Sequence, residues 1–118
     1  MLIYVDIDET ICETPSSRNY VDAIPIKENI LKINELYDRG HSIYYWTARG
    51  TVTLKDWRQV TEDQFKEWGV KYHKLMFGKP AFDLLIDDKA LNSLNHFDEI
   101  NDYITKISVT QKSSQKLS

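Results

Sequence analysis

A strand that breaks off at carboxylates constrains this chain more than any other feature. The apolar run Leu2 to Val5 is long enough for a fully buried strand, and it stops at Asp6 and Asp8, with Thr10 just beyond. In an open α/β sheet, ligands sit in the crevice outside the carboxyl ends of the strands, so charged groups placed there point into a site.

The pattern then alternates. Ile11 to Pro25 has no helical period, two prolines and a polar centre, and reads as an irregular loop or short hairpin beside the first strand. From Ile26 the apolar positions Ile26, Ile30, Ile33, Leu36 and Tyr37 recur every three or four residues, which predicts an amphipathic helix closed by Gly40 as a left-handed cap. Ser42 to Trp46 is a second buried strand ending at Thr47. Strand, helix, strand implies a right-handed parallel crossover. Thr53 and Asp56 form a capping-box pattern for a second helix with apolar face Leu54, Trp57, Val60, Phe65 and Trp68, ended by Gly69. Val70 to Phe77 is a third strand, and Phe82 to Ile86, after the Gly78-Lys79-Pro80 turn, a fourth, again followed by carboxylates, Asp87 and Asp88. Asn95 and Asp98 can cap a last helix with apolar face Phe97, Ile100, Tyr103, Ile104 and Ile107.

The 118 residues fit one domain, read as 1–109, with a Ser/Gln/Lys-rich tail at 110–118 that frays. A 42% hydrophobic fraction beside 28% charged residues excludes the disordered class. A net charge of −3 with no basic stretch argues against nucleic acid as a partner. No apolar run reaches the roughly 20 residues that cross a bilayer, so no membrane partner is expected. The single cysteine, Cys12, allows no internal disulfide and, with no basic leader before the first strand, points to a reducing, cytoplasmic setting. Cys12 itself reads as buried packing, and His41, His73 and His96 as surface or structural residues without metal-ligand spacing.

Parallel strands alternating with helices bring Asp6, Asp8, Thr47, Asp87 and Asp88 to one edge of the sheet, with Lys79 close by. Four carboxylates screened from water repel one another unless a cation compensates, and hard oxygen donors favour Mg²⁺. A carboxylate beside that cation and a lysine can attack phosphorus, because the positive charge neutralises a phosphate dianion. A calcium-binding EF-hand loop is excluded, since Ile11 and Ser17 stand where such a loop counted from Asp6 needs Gly and Glu.

Asp6-Ile7-Asp8-Glu9-Thr10, Thr47 after its strand, Lys79, and Asp87-Asp88 resemble, in order, the four motifs of haloacid dehalogenase superfamily phosphatases, over about residues 1 to 95. The resemblance implies a three-layer, Rossmann-like α/β sandwich with a mainly parallel sheet. It implies that Asp6 attacks phosphorus and that Asp8 protonates the leaving group and then activates water. Thr47 and Lys79 would hold the phosphate, with the backbone from Ile7 to Thr10 completing the cradle. Mg²⁺ would be bound by Asp6, the Asp8 carbonyl and Asp88, with Asp87 acting through water. Trp46-Thr47-Ala48-Arg49, Gly78-Lys79-Pro80 and Ile86-Asp87-Asp88-Lys89-Ala90 resemble the small phosphatases of capsule and surface-polysaccharide biosynthesis, which points to a sugar-type phosphomonoester. Ala48 and Arg49 join the substrate-binding set, Arg49 as a bidentate clamp on the substrate anion. The segments between motifs leave no room for a cap domain, so an open site must exclude water through a neighbouring subunit or a bulky substrate, and a homo-oligomer is expected. A phosphotransferase on the same scaffold and a receiver-like signalling domain are the alternatives. The receiver reading conflicts with the motif order, in which the Asp-x-Asp comes first and the acidic pair last.

Overall fold

The computed structural model of the chain describes residues 1–92, 101, 102 and 104–106. They form a mixed α/β protein whose main sheet is parallel throughout: β1 (Leu2–Val5), β4 (Ser42–Trp46) and β5 (Lys74–Met76), in the order β1-β4-β5. Ile3 pairs with Ile43 and Val5 with Tyr45, while Trp46 pairs with Met76. Between β1 and β4 the chain makes a small antiparallel ribbon of β2 (Cys12–Glu13) and β3 (Ile24–Pro25), with a 3₁₀ turn over Tyr20–Asp22, and then α1 (Lys27–Asp38). Of the two forms expected for 11–25, an irregular loop or a short hairpin, the chain adopts the hairpin.

Helix α1 follows its sequence period: Ile30, Ile33 and Leu36 are buried and α1 packs on β4. Gly40 takes φ +94° just past its end, and the His41 amide donates back to the Leu36 carbonyl at 3.2 Å. Asn34, on the same buried face, grips the segment after α2 (Arg58–Trp68). Its Nδ2 donates to the Gly69 carbonyl (2.8 Å) and its Oδ1 accepts the Lys71 amide (2.9 Å).

Four expectations need correction. Helix α2 begins at Arg58, not near Thr53, because 50–55 winds into a tight loop in which Leu54 has φ +61° and its amide donates to the Gly50 carbonyl (2.8 Å). Leu54 is thus 88% exposed, Trp57 stands at the N-cap, and of the expected capping pair only Asp56 reaches the helix start, its Oδ1 accepting the Arg58 amide at 2.9 Å. Strand β5 covers only 74–76 of the expected Val70 to Phe77: the His73 amide still donates to the Ile43 carbonyl (2.9 Å), but the Ile43 amide goes to His73 Nδ1 (3.0 Å) rather than to backbone, and Asn34 holds Lys71. Strand β1 is not buried on both faces, with Leu2 and Tyr4 half exposed beside Tyr44 and Trp46. Phe82 to Ile86 forms no strand. An apolar run becomes a strand only where a partner offers a ladder, and this one makes none with a described strand, leaving Leu84 and Ile86 exposed.

By its contacts the chain forms two compact units, Met1–Leu85 and Ile86–Ser118. In the second, residues 101, 102 and 104–106 are helical and Ile104 is buried, as the sequence period predicts. The other residues named for that helix, its caps, His96 and the 110–118 tail lie outside the described residues. Among the described residues no helix is long and apolar enough to cross a membrane.

Candidate functional site

Strands β1 and β4 run side by side in the same direction, so Asp6 and Thr47 both leave the sheet at its carboxyl edge. Lys79 is brought there by backbone bonds. Its amide donates to the Thr47 carbonyl (3.1 Å), its own carbonyl accepts the Thr51 hydroxyl (2.8 Å), and its Nζ lies 3.4 Å from Asp6 Oδ1. Burial raises the Asp6 pKa above its usual 3.8, opposed by Lys79 and by the Ile7 amide that its carboxylate accepts. The loop after Asp6 closes on itself, the Thr10 and Ile11 amides both donating to the Ile7 carbonyl (3.1 and 2.9 Å). Asn29 of α1 then holds that loop, its Nδ2 donating to the Thr10 carbonyl at 2.9 Å.

Asp8 has a different partner. Arg49, whose side chain is wholly buried, forks onto it: Nε donates to Oδ2 (3.1 Å) and Oδ1 (3.3 Å), and Nη2 to Oδ1 (2.9 Å). The Arg49 expected to clamp a substrate anion is turned inward, with Nη1 donating to Gln64 Oε1 (2.6 Å) and Thr61 Oγ1 (3.1 Å) and its guanidinium lying under the Tyr20 ring, 4.7 Å from the centroid. Asp8 Oδ1 also accepts the Thr14 hydroxyl at 2.5 Å and the Cys12 thiol at 3.5 Å. Burial and the Asp8 charge push the Cys12 thiol up to about 12, which makes it an inert thiol. Thr14, Tyr20, Thr61 and Gln64 were not legible as site residues. The one signal was the broken apolar face of the second helix, where Thr61 and Gln64 share the inward stripe with Trp57 and Phe65.

Asp6, Asp8, Ala48, Arg49 and Lys79 line one cleft of about 560 Å³, walled by Tyr20, Trp57 and Phe82. Thr47 and Ile7 are fully buried behind it. The Thr47 hydroxyl oxygen accepts the Arg49 amide (3.1 Å), so this threonine shapes the loop that carries Arg49. A second cleft of about 640 Å³, between the 21–25 segment and the two helices, holds none of the expected site residues. Asp87 and Asp88 belong to the second unit. Asp87 is fully exposed, and its pKa is lowered chiefly by the Lys89 amide it accepts at 2.9 Å. Among the described residues no group of three or more His, Cys, Asp or Glu side chains is gathered to hold a metal.

These features define a class: a parallel α/β protein with two carboxylates at the carboxyl edge of its sheet, each held by its own cation. A crystal structure of an MCSG target from Vibrio cholerae has the same fold, with a TM-score of 0.77 at 22% identity over 89% of this chain and 97% of that one. No protein-family model matches the chain. Nor does any curated protein match it.

Proposed function

We propose that the protein is a Mg²⁺-dependent phosphomonoesterase of the haloacid dehalogenase type, capless and built on a three-layer Rossmann-like sandwich, acting on a small sugar-type phosphate. The observation that carries this reading is the separation of the two carboxylates by partner. Asp6 lies beside a single lysine at 3.4 Å, whereas Asp8 is gripped by a buried arginine fork.

Asp6 is the nucleophile in this reading. One of its oxygens attacks phosphorus, the bond to the leaving oxygen breaks, and Lys79 offsets the charge of the incoming phosphate. Asp8 gives its proton to the leaving oxygen, then takes one from the water that hydrolyses the aspartyl-phosphate. Its Oδ1 takes bonds from Arg49 Nη2, Thr14 and Cys12, whereas Oδ2 takes only that from Arg49 Nε (3.1 Å), so Oδ2 is the less occupied oxygen and the one assigned to proton exchange. Arg49, Thr61, Gln64 and Tyr20 act as positioning residues that fix the plane of Asp8.

Mg²⁺ fits the donor set. Magnesium is commonly held by one or two carboxylates together with waters and substrate phosphate, and Asp6 is a half-buried carboxylate whose charge Lys79 only partly offsets. The Asp6 carboxylate and the Asp8 carbonyl would hold it, with water and substrate phosphate as the remaining donors. When bound, it would neutralise charge on the transferring phosphoryl group. An open cleft needs cover during turnover, which a second subunit or the substrate itself would supply.

The test is phosphate release from an aryl phosphate with and without Mg²⁺. Asp6→Asn abolishes turnover and Asp8→Asn lowers it by about 10² to 10⁴, the usual share of a positioned acid. Wild-type activity in Asp6→Asn rules the mechanism out.

A further inference from the structure

The cleft that holds Asp6 and Asp8 carries two more cations at its rim, Arg18 and Lys55, which the phosphatase reading does not use. Lys79 answers Asp6 and Arg49 answers Asp8, while the one other acid of the lining, Glu9, turns its carboxylate to the Thr14 amide at 3.1 Å. Neither Arg18 nor Lys55 has an ion pair among the described residues. In a chain of net charge −3, this rim is positive against its background.

Both cations are placed by structure rather than left on free loops. Lys55 Nζ sits over the Trp57 ring, 4.3 Å from its centroid. Trp57 meets Tyr20 edge-on at 4.9 Å, and Tyr20 covers Arg49, so one continuous stack runs from the buried Asp8 fork to the rim. The loop that carries Lys55 is fixed at Gly50. At φ +79° a Cβ there would lie 2.1 Å from the Lys55 carbonyl oxygen, so only glycine fits. Arg18 is set by a turn in which its amide donates to the Pro15 carbonyl (2.9 Å), and it lies near enough to Tyr20 for its charge to oppose in part the rise that burial and Asp8 give the phenol's pKa. Among the described residues the positive-φ residues other than glycine are Glu9, Arg18 and Leu54, and all three lie in the loops of this cleft. Strain of that kind collects where a loop is held for binding.

We infer that the rim formed by Arg18 and Lys55 is a subsite for a second oxyanion on the substrate's leaving group, so that the substrate class is a phosphomonoester bearing a carboxylate or a further phosphate. This rests on the phosphatase reading for the end of the substrate that reacts. Tyr20 and Trp57 are part of the same lining, and aromatic lining suits the apolar face of a sugar ring.

The experiment compares glucose 6-phosphate, whose leaving group is neutral, with 6-phosphogluconate and fructose 1,6-bisphosphate, in wild type, Lys55→Met, Arg18→Met and the double variant. The readout is the ratio of kcat/KM for an anionic substrate over the neutral one. It stands well above one in wild type. It falls about fivefold with each substitution, the most an exposed ion pair supplies, and about twentyfold in the double variant. It also falls as salt is raised, as screened charges require. A preference for 6-phosphogluconate alone assigns the subsite to a carboxylate, and one for the bisphosphate alone assigns it to a phosphate. A wild-type ratio near one, or a ratio that survives the double substitution, overturns the inference. If neither these three nor the aryl phosphate releases phosphate, the phosphatase reading fails on its own. Titration calorimetry then decides the rim without turnover: tighter binding of the anionic pair supports it, and equal affinity overturns it.

Discussion

Replacing Arg49 with methionine removes the one cation among the described residues that pairs with Asp8. The lost contacts can be counted from the geometry: a two-toothed charge-assisted pair (Nη2 to Oδ1 at 2.9 Å, Nε to Oδ2 at 3.1 Å) and two bonds from Nη1 to Gln64 and Thr61 at 2.6 and 3.1 Å. Asp8 is only 16% exposed, so its charge stays in a poorly solvated place without a partner. Breaking one side of a buried pair costs about 3–5 kcal/mol, against a total stability of about 5–15 kcal/mol for a domain. Arg49→Met should therefore lower the urea midpoint by a large fraction without changing the slope. Arg49→Lys keeps the charge but not the planar fork, and falls between the two.

The decisive measurement is the double-mutant cycle with Asp8→Asn. Asp8→Asn alone strands the arginine and Arg49→Met alone strands the carboxylate, but the double variant strands no charge, so it should be more stable than the sum of the single losses implies by about 2–3 kcal/mol. Additive losses would refute the pair as an energetic unit. So would an Arg49→Met protein within about 1 kcal/mol of wild type, the level of an exposed ion pair.

Asp6 is held above its ordinary pKa by burial, so between 3.8 and its raised value the folded state binds more protons than the unfolded one, and stability falls as pH rises through that window. In chelator, Asp6→Asn removes this fall, and its advantage over wild type in urea midpoint should grow from pH 3 upward and then level off, whereas a constant difference would contradict the sign. Tyr45 is fully buried and its hydroxyl finds no partner among the described residues, so Tyr45→Phe should raise stability by about 1–2 kcal/mol in thermal melts, provided the ring stays packed on Phe65. The Cys12 thiol, pushed up to about 12 and fully buried, should ignore a disulfide reagent at pH 8 in the native protein and react at once in denaturant.

The parts of the fold that the sequence announces are those where one element's own pattern decides the matter. The three-to-four-residue period of Ile30, Ile33 and Leu36 needs no partner to be read as a buried stripe, and Gly40 marks its end. The parts it hides depend on what lies opposite. Phe82 to Ile86 has the composition of a strand, and whether it becomes one rests on a ladder partner that its own residues do not encode. Arg49 is the sharpest case. An arginine two residues beyond a strand-end threonine reads as a donor to whatever anion is near, and the sequence offers a substrate as that anion. The fold offers Asp8 first, at 2.9 Å, and closes the remaining donors with Thr61 and Gln64 of α2. The irregular apolar face of that helix, which lowers its quality as a core element, is the trace left by this demand. A helix that must pack against the sheet through Phe65 and also satisfy a buried guanidinium cannot be apolar along its whole inner stripe. The two polar residues there are accordingly the means by which α2 positions Asp8, and through Tyr20 and Trp57 the same stack reaches Lys55, so that the group assigned to proton transfer and the rim assigned to selectivity are set by one set of packed side chains.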